Sequence, residues 1–268
     1  MKHFYVIVNR DKEYAQEAGE FMKAYLEARG AVCRMHLPEE GQEGSHVKKE
    51  QVPEDTQCVI TVGGDGTLIQ AARDLAGRSI PMLGVNRGHL GFLTQVSRKK
   101  DIGPVLDDLL EDHFQLERRM MLTGRAIRRG REILSDIALN EIAITRQVPI
   151  RVLRYSVFVN EEYLNDFASD GVLVATPTGS TAYNLSAGGP VLAPAARMMV
   201  LTPICSHTMN ARSIVLAPED KIRIQMGGSG QIAFFDGDTS VELEAGDSIC
   251  VECSELETVM VKLGNVSF

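Results

Sequence analysis

The chain lacks the features expected of a membrane or nucleic-acid-binding protein. No apolar run approaches the roughly 20 residues that a membrane-spanning helix needs, and Met1 leads into the apolar run Phe4 to Val8 without the layout of a signal peptide. Lys and Arg number 28 against 36 Asp and Glu, so the formal net charge is −8. Such a surface does not attract polyanions. We expect a cytoplasmic protein with neither membrane nor nucleic acid as a partner.

The sequence also lacks a complete set of zinc ligands. Its five cysteines are an odd number, and most of them lie in apolar runs where cysteine acts as a small hydrophobic residue. Cys250 and Cys253 have the spacing of a redox or zinc pair, but residues three apart on a strand face opposite sides. Neither a second cysteine pair nor a nearby histidine completes a zinc site. We predict a core or edge strand here, with the redox or zinc pair as the alternative.

What the sequence does contain is a change of pattern near its middle. A chain of 268 residues can form one large domain or two modest ones. In the first hundred residues, strand-like apolar runs alternate with runs of helical spacing, which predicts an α/β domain with a doubly wound, mostly parallel sheet over residues 1–113. The strand-like runs are Phe4 to Val8, Val32 to Met35, Cys58 to Val62 and Ile80 to Asn86.

After Phe114 helical spacing nearly disappears. Short strand-like runs separated by turn signals predict an all-β, sandwich-like domain over residues 114–254. Leu122 to Ile127 and Ile133 to Ile144 are typical of a hairpin. The basic turn Arg128 to Arg131 between them is interpreted as a solvated hairpin tip, with a phosphate clamp as the alternative.

Gly63 to Thr67 is the most informative stretch. Three glycines surround one carboxylate, directly after the apolar run Cys58 to Val62 and directly before a run of helical spacing. Glycine tolerates positive φ and has no Cβ, so backbone N–H groups at a helix N-terminus can approach phosphate oxygens. Asp65 would be repelled by phosphate unless it meets a hydroxyl proton or a metal. We predict a phosphate-cradling turn made by Gly63, Gly64, Gly66 and Thr67. A plain strand-to-helix turn with an incidental Asp is the alternative.

A second polar segment, Asp170 to Pro190, is rich in hydroxyl and glycine residues. Ser180 or Thr181 is expected to N-cap a short helix over Ala182 to Ala187 and to present N–H groups to a ligand. Tyr183 offers a ring for stacking and Asn184 an amide that reads a base edge. A capped helix whose hydroxyls satisfy their own backbone is the alternative. Asn140-Glu141, which interrupts an apolar run, is either a further polar site or simply a bulge or exposed face.

Taken together, these motifs resemble those of the NAD kinase family over essentially the whole chain. The resemblance rests on Gly63 to Thr67, Asn86 to Phe92, Asn140-Glu141 and Thr176 to Pro190. It implies transfer of the γ-phosphoryl group of ATP to the 2′-hydroxyl of the adenosine ribose of NAD. It also implies Mg²⁺ carried with ATP rather than held by a protein site, return of residues 255–268 to the first domain, and a homodimer or homotetramer.

The same resemblance implies roles for individual residues. Asp65 would be the proton acceptor for the 2′-hydroxyl, with Gly66 helping to bind the nucleotide. Asn140 and Glu141 would hold the ribose and adenine, and Asp170 would lie near the nicotinamide. The residues expected to line the adenine site are Thr181, Ala182, Tyr183, Asn184, Leu185 and Ser186. Further expected contacts with NAD are Phe92, Arg151, Ala168, Thr178 and Asp238.

Two positions depart from the commoner family pattern. Asp238 stands where many members have a Gln that contacts substrate, and Ala168 stands where some have a basic residue near the nicotinamide. A lipid kinase of the diacylglycerol kinase type shares the glycine motif, but such kinases usually need an apolar or basic membrane-facing surface, and this acidic chain shows neither. A non-catalytic dinucleotide-binding regulator is the third hypothesis, and it requires Asp65 to be dispensable.

Overall fold

The computed structural model describes residues 1–12, 14–38, 45–86, 91–147, 152–207 and 211–264. The chain divides into two compact units. Unit 1 comprises Met1–Arg118 and Glu257–Phe268, and unit 2 comprises Arg119–Leu256.

Unit 1 is an α/β domain. Its elements are β1 (His3–Val8), α1 (Ala15–Glu27), β2 (Val32–His36), β3 (Cys58–Val62), α2 (Asp65–Asp74), β4 (Met82–Val85), β5 (Thr94–Val96) and α3 (Lys99–Leu110). Strands β2, β1, β3 and β4 are neighbours in that order, and each pair is parallel. The C-terminal return adds Met260, which pairs in parallel with Met82 of β4. The predicted mostly parallel sheet is confirmed.

Burial explains why β1, β3 and β4 of unit 1 appear in the sequence as unbroken apolar runs. Every residue of β3 and β4 is buried, as are five of the six in β1. Strands of a parallel sheet are covered on both faces, so they do not alternate between apolar and polar residues. Helix α1 buries one face, made by Ala15, Ala18, Gly19, Met22 and Leu26. Here the sequence pattern and the tertiary structure agree.

Unit 2 is built almost entirely from antiparallel strands. They are β6 (Gln115–Arg128), β7 (Arg131–Ala138), β8 (Glu141–Arg146), β9 (Leu153–Val159), β10 (Glu162–Ser169), β11 (Gly171–Ala175), β12 (Met199–Ile204), β13 (Ile214–Leu216), β14 (Ile222–Met226), β15 (Gln231–Phe235), β16 (Thr239–Leu243) and β17 (Ser248–Lys262). The chain leaves unit 1 within β6 and returns to it within β17. One short helix, α4 (Tyr183–Ser186), follows a 3₁₀ turn over Gly179–Thr181.

The strands of unit 2 form a sandwich-like arrangement. Six of them make one sheet in the order β13-β12-β11-β8-β15-β16, and β10, β9, β14 and β17 are neighbours in a second antiparallel group. One apolar cluster contains residues of both groups, such as Ile142 and Val174 from the first and Val157 and Ile224 from the second. The shared core confirms the predicted sandwich-like domain.

Tight turns join three of the hairpins in unit 2. Arg129-Gly130, Asn160-Glu161 and Asp236-Gly237 each have two successive residues with positive φ. Arg129-Gly130 and Asn160-Glu161 are two-residue loops, which match the twist of the flanking strands, whereas Asp236-Gly237 belongs to a three-residue loop that Asp238 completes. The hairpin tip predicted at Arg128 to Arg131 is present, but Arg128 is not simply solvated. Its guanidinium contacts Asp247 at 2.8 Å and Glu244 at 3.1 Å.

The predicted run Ile133 to Ile144 does not form one strand. It splits into β7 and β8, which belong to different sheets, and the break falls at Leu139 and Asn140. Among the residues that the structure describes, no helix is long and apolar enough to cross a membrane.

Candidate functional site

The Gly63 to Thr67 turn joins β3 to α2, as predicted, and the helix begins at Asp65. None of its three glycines has a positive φ, so the freedom of glycine to adopt left-handed backbone is not used here. Space is the real requirement at Gly63, where a Cβ would lie 2.3 Å from Oγ1 of Thr67. Gly64 and Gly66 instead border open space, and a Cβ added to either would meet no atom within 4 Å. The turn therefore leaves room beside the first N–H groups of α2.

The carboxylate of Asp65 is held by a second backbone segment of unit 1. Its Oδ2 accepts a hydrogen bond from the N–H of Phe92 at 2.9 Å, and its Oδ1 accepts from the N–H groups of Leu93 and Thr94 at 3.3 and 3.1 Å. Gly91 packs directly on this carboxylate. The side chain of Asp65 is thus oriented by three fixed backbone donors.

Phe92 is the most exposed large apolar side chain near Asp65, with 72% of its surface accessible. Its backbone binds Asp65 while its ring faces solvent, as a ring available to a ligand would. Of the Asn86 to Phe92 motif, residues 87–90 lie outside the described residues, and so does Arg151.

In unit 2, Asn140 and Glu141 are positioned by the carboxylate of Asp236. That carboxylate accepts hydrogen bonds from the backbone N–H groups of Leu139, Asn140 and Glu141 at 2.6, 2.8 and 3.0 Å. These bonds take the place of strand pairing and explain why the predicted single strand is interrupted. Asp236 is a functional neighbour that sequence reasoning missed. The signal was the Asp-Gly pair between two strand-like runs, which is typical of a tight hairpin turn.

Two side-chain oxygens in this pair are buried without a hydrogen-bond partner among the residues that the structure describes. They are Oδ1 of Asn140 and Oε2 of Glu141. Unpaired buried acceptors are costly, and in native proteins they often mark a place where a ligand or water binds. Burial, reinforced by the negative charge of Asp236, raises the pKa of Glu141 to about 8, while a hydrogen bond from the backbone N–H of Tyr183 opposes the shift.

The Thr176 to Ser186 segment packs against Asn140. Oγ1 of Thr176 donates to the carbonyl of Leu139 at 2.6 Å and accepts from the N–H of Gly179 at 3.0 Å. A Cβ at Gly179 would lie 2.1 Å from the carbonyl oxygen of Asn140. Thr178 is buried beside this contact. The structure therefore brings together two motifs that are about 40 residues apart in the sequence.

The predicted N-cap is wrong. Neither Ser180 nor Thr181 caps α4, because the helix starts later, at Tyr183, and has no side-chain cap. Instead Oγ of Ser180 donates to the carbonyl of Pro177 at 2.7 Å and accepts from the N–H of Leu192 at 3.0 Å. Ser180 is fully buried, and the hydroxyl of Thr181 turns back to the carbonyl of Thr178. Here the alternative, hydroxyls that satisfy their own backbone, describes the segment.

Asn184 does not present its amide to solvent. It is completely buried, its Nδ2 donates to the carbonyls of Ser180 and Pro190 at 3.1 and 3.0 Å, and its Oδ1 accepts from Oγ1 of Thr202 at 2.7 Å. An amide with both ends engaged cannot also read a base edge. Asn184 therefore holds the segment in place through its hydrogen bonds. The neighbouring side chains are exposed or half-buried; they are those of Thr181, Ala182, Tyr183, Leu185 and Ser186.

Asp170 precedes β11 and is paired with a residue that sequence reasoning did not single out. Arg146, at the end of β8, contacts Oδ1 and Oδ2 of Asp170 at 3.0 Å each. Asp170 also belongs to the surroundings of Tyr183. Partial burial raises the pKa of the Tyr183 hydroxyl, and the negative charges of Cys205, Glu141 and Asp170 raise it further. Tyr183, Glu141 and Asp170 therefore share one neighbourhood within unit 2.

The two positions that depart from the family pattern are both accessible in part. Asp238 is exposed and directly follows the Asp236-Gly237 turn, where its N–H donates to the carbonyl of Phe235 at 3.0 Å. Ala168 lies in β10, and its carbonyl accepts a hydrogen bond from the N–H of His207 at 2.7 Å. Across the described residues, no cluster of three His, Cys, Asp or Glu residues has a geometry that would hold a metal ion.

Comparison with known proteins identifies relatives of both halves of the chain. The family model of the ATP-NAD kinase N-terminal domain matches residues 4–114, and that of the ATP-NAD kinase C-terminal domain matches residues 139–263. The chain is 41% identical over 286 residues to NAD kinase from Lachnospira eligens, covering 100% of this chain and 97% of the relative. It is 39% identical over 277 residues to NAD kinase from Lachnoclostridium phytofermentans, covering 100% and 96%.

Solved structures show the same fold. Yeast NADH kinase complexed with NADH superposes with a TM-score of 0.87 at 24% identity, covering 100% of this chain and 89% of the yeast chain. An NAD kinase from Archaeoglobus fulgidus in complex with ATP superposes with a TM-score of 0.78 at 26% identity, covering 97% and 93%. With both family models and the full-length relatives in agreement, this chain belongs to the ATP-NAD kinase family.

Proposed function

We propose that this chain transfers the γ-phosphoryl group of ATP to the 2′-hydroxyl of the adenosine ribose of NAD and so makes NADP. The observation that carries the proposal is a pair of buried oxygens, Oδ1 of Asn140 and Oε2 of Glu141, that have no hydrogen-bond partner among the described residues. Because the raised pKa keeps the carboxyl of Glu141 protonated near neutral pH, a ligand that binds there must bring a donor for Asn140 and can bring a donor or an acceptor for Glu141. Adenosine offers both, because its ribose carries hydroxyl groups and its base carries an amino group and ring nitrogens that accept.

The exposed side chains beside this pair suit the rest of the dinucleotide. The ring of Tyr183 is 38% exposed and is available for stacking on the base. Thr181, Ala182, Leu185 and Ser186 would line the adenine, and Asp170 would lie at the nicotinamide end. Thr178, Ala168, Arg151 and Asp238 remain proposed NAD contacts. Asn184 is proposed to act through the positions of its neighbours.

In unit 1, Asp65 is proposed to accept the proton of the 2′-hydroxyl. The backbone donors that hold its carboxylate fix its direction, and phosphoryl transfer depends mainly on such positioning and on charge stabilisation. The open space beside Gly64 and Gly66, together with the N–H groups of α2, suits the phosphates of a nucleotide. Phe92 is proposed to contact NAD through its exposed ring.

Mg²⁺ is proposed to arrive with ATP. The carboxylate of Asp65, which lies in the glycine turn, already accepts three backbone hydrogen bonds. Its oxygens are therefore better suited to accept one further bond from a hydroxyl than to coordinate a cation. Mg²⁺ normally keeps several waters and binds through substrate phosphates, where it offsets their negative charge. We further propose a cytoplasmic enzyme that forms a homodimer or homotetramer, as in the family it resembles; size-exclusion chromatography with light scattering measures that state.

The direct test is incubation of the purified protein with NAD, ATP and Mg²⁺, followed by chromatographic detection of NADP. Parallel reactions replace NAD with NADH or with diacylglycerol, and ATP with polyphosphate. NADP formation supports the proposal. Phosphorylation of diacylglycerol without NADP formation would favour the lipid kinase hypothesis instead.

Asp65→Asn separates a kinase from a non-catalytic regulator. We expect NAD binding, followed by calorimetry, to be largely intact while NADP formation falls by a factor on the order of 10²–10⁴, as for loss of a general base. The variant turns one N–H acceptor into an amino group, so thermal unfolding is measured alongside. Equal turnover in a folded Asp65→Asn protein would refute the role given to Asp65.

A further inference from the structure

Arg146 and Asp170 form a two-bond ion pair inside unit 2. Nη1 and Nη2 of Arg146 each contact one oxygen of Asp170 at 3.0 Å. The pairing is built into the sheet, because β8 and β11 are neighbours and Thr145 lies opposite Gly171. Arg146 and Asp170 each immediately adjoin that pair of positions in the sequence. The geometry is the fork-to-carboxylate arrangement that fixes orientation as well as charge.

The pair is neither deeply buried nor fully solvated. The side chain of Arg146 is 30% exposed and that of Asp170 is 29% exposed, so a ligand can reach the carboxylate. Among the described residues, Nε2 of His207 also contacts Asp170, at 3.7 Å from Oδ1. It makes one long contact where Arg146 makes two short ones. Arg146 is therefore the main counter-charge of Asp170.

We propose that Arg146 is a positioning residue that limits how strongly the dinucleotide site distinguishes NAD⁺ from NADH. The inference rests on the proposed function, in which Asp170 lies at the nicotinamide end. The oxidised nicotinamide ring carries a positive charge, and the reduced ring carries none. An uncompensated carboxylate would favour the oxidised ring by electrostatic attraction, whereas a carboxylate paired with a guanidinium has little net field.

Arg146→Gln tests this directly, because it removes the guanidinium and leaves Asp170 in place. We expect the ratio of kcat/KM for NAD⁺ to kcat/KM for NADH to rise about three- to tenfold, the size of a charge–charge interaction across a partly solvated site. Arg146→Lys keeps the charge and should hold the ratio within about twofold. Thermal unfolding should change little in either variant, since an ion pair this exposed contributes little to stability.

The matched control is Arg223→Gln. Arg223 is paired with Glu161 at 2.9 Å, its side chain is 24% exposed, and its guanidinium lies over the ring of Phe158, so this variant removes an arginine ion pair, together with that ring contact, elsewhere in unit 2. Its ratio should equal that of the unmodified protein. Asp170→Asn combined with Arg146→Gln should cancel the gain in discrimination, because no carboxylate then remains for the nicotinamide charge to sense. The gain should also shrink at high salt.

Binding of NAD⁺ and of NADH is measured by calorimetry in the same variants, independently of turnover. If the protein formed no NADP, the proposed function would fail, while the affinity ratios would still decide the role of Arg146. Equal loss of affinity for both dinucleotides in Arg146→Gln would mean that Arg146 only maintains structure. An unchanged ratio, or a gain that persists in the double variant, would likewise overturn the inference.

Discussion

Gly91 lies so close to Asp65 that a Cβ on Gly91 would be 2.1 Å from Oδ1 of the carboxylate. No side chain larger than hydrogen fits there unless Asp65 moves. We predict that Gly91→Ala lowers kcat by about 100-fold, since a displacement on the order of 1 Å in a reacting group can cost that much. The KM for NAD should change less than kcat, because most of the proposed NAD contacts lie in unit 2 and only Asp65, Gly66 and Phe92 belong to unit 1.

Steady-state kinetics with thermal unfolding measures this effect. Gly228→Ala is the control, because a Cβ there meets its nearest neighbour, Nε2 of Gln231, at an ordinary 3.6 Å. It should keep full activity. An unchanged kcat in Gly91→Ala would show that the exact position of Asp65 is unimportant.

Asn140 and Asn184 should respond to alanine in opposite ways. Asn140→Ala removes a buried acceptor that has no partner, so the free energy of unfolding should stay the same or rise slightly. The KM for NAD should rise at least about tenfold, the cost of roughly one good hydrogen bond, while the KM for ATP stays within about twofold. A rise in the KM for ATP alone would mean that Asn140 contacts ATP rather than NAD.

Asn184→Ala removes the donor to the buried carbonyl of Ser180 and to the carbonyl of the exposed Pro190, and it takes from the buried Thr202 hydroxyl one contact while the contact with Ser213 remains. We predict a loss of about 2–3 kcal/mol in the free energy of unfolding, chiefly from the buried Ser180 carbonyl. Urea denaturation compares the two variants. A destabilised Asn140→Ala together with a stable Asn184→Ala would contradict the division between binding and structural roles.

Glu141 should make stability depend on pH near neutrality. Its folded-state pKa is about 8, raised from an ordinary value of 4.5 chiefly by burial. Between these two pH values the folded state keeps a proton that the unfolded state has released. The contribution of Glu141 to stability is therefore lost as pH rises through this window, with a slope of at most about 1.4 kcal/mol per pH unit.

Glu141→Gln removes the titration and keeps an oxygen that can accept from the N–H of Tyr183. As pH rises from 4.5, the ordinary pKa of this carboxyl, towards about 8, the variant should become more stable relative to the unmodified protein. Above the raised pKa of Glu141 the difference in stability should stay constant. Denaturation curves collected across this pH range provide the measurement. Parallel stability profiles for the two proteins would show that Glu141 is ionised throughout.

Removal of divalent cations should stop turnover without unfolding the protein. If Mg²⁺ enters with the triphosphate, EDTA abolishes NADP formation and leaves the melting temperature within about 1 °C, since a ligand that does not bind the free protein cannot stabilise it. Added Mg²⁺ should restore activity. A melting temperature that falls with EDTA and recovers with Mg²⁺ would instead indicate a metal bound by the protein.

The sequence predicted much of the local structure because local patterns carried it. Strands β1, β3 and β4 of unit 1 are buried on both faces and therefore appear as unbroken apolar runs, and the glycine turn sits between a strand and a helix as expected. Failures occurred where a distant residue competed with a local preference. Asp236 draws the backbone of Asn140 out of a strand-like run, and Ser180 bonds to Leu192 rather than capping the next helix.

By itself the sequence determined the fold class of each half and the identity of the polar motifs, since these follow from periodicity and from residue types at fixed spacing, and it indicated the family through the resemblance of those motifs to known ones. Only the tertiary structure decided which polar atoms are already satisfied. It showed that the amide of Asn184 is saturated, that acceptors on Asn140 and Glu141 are not, and that Asp170 is paired with Arg146. Hydrogen bonding and charge compensation depend on neighbours that are remote in the chain, and spacing along a sequence does not encode them.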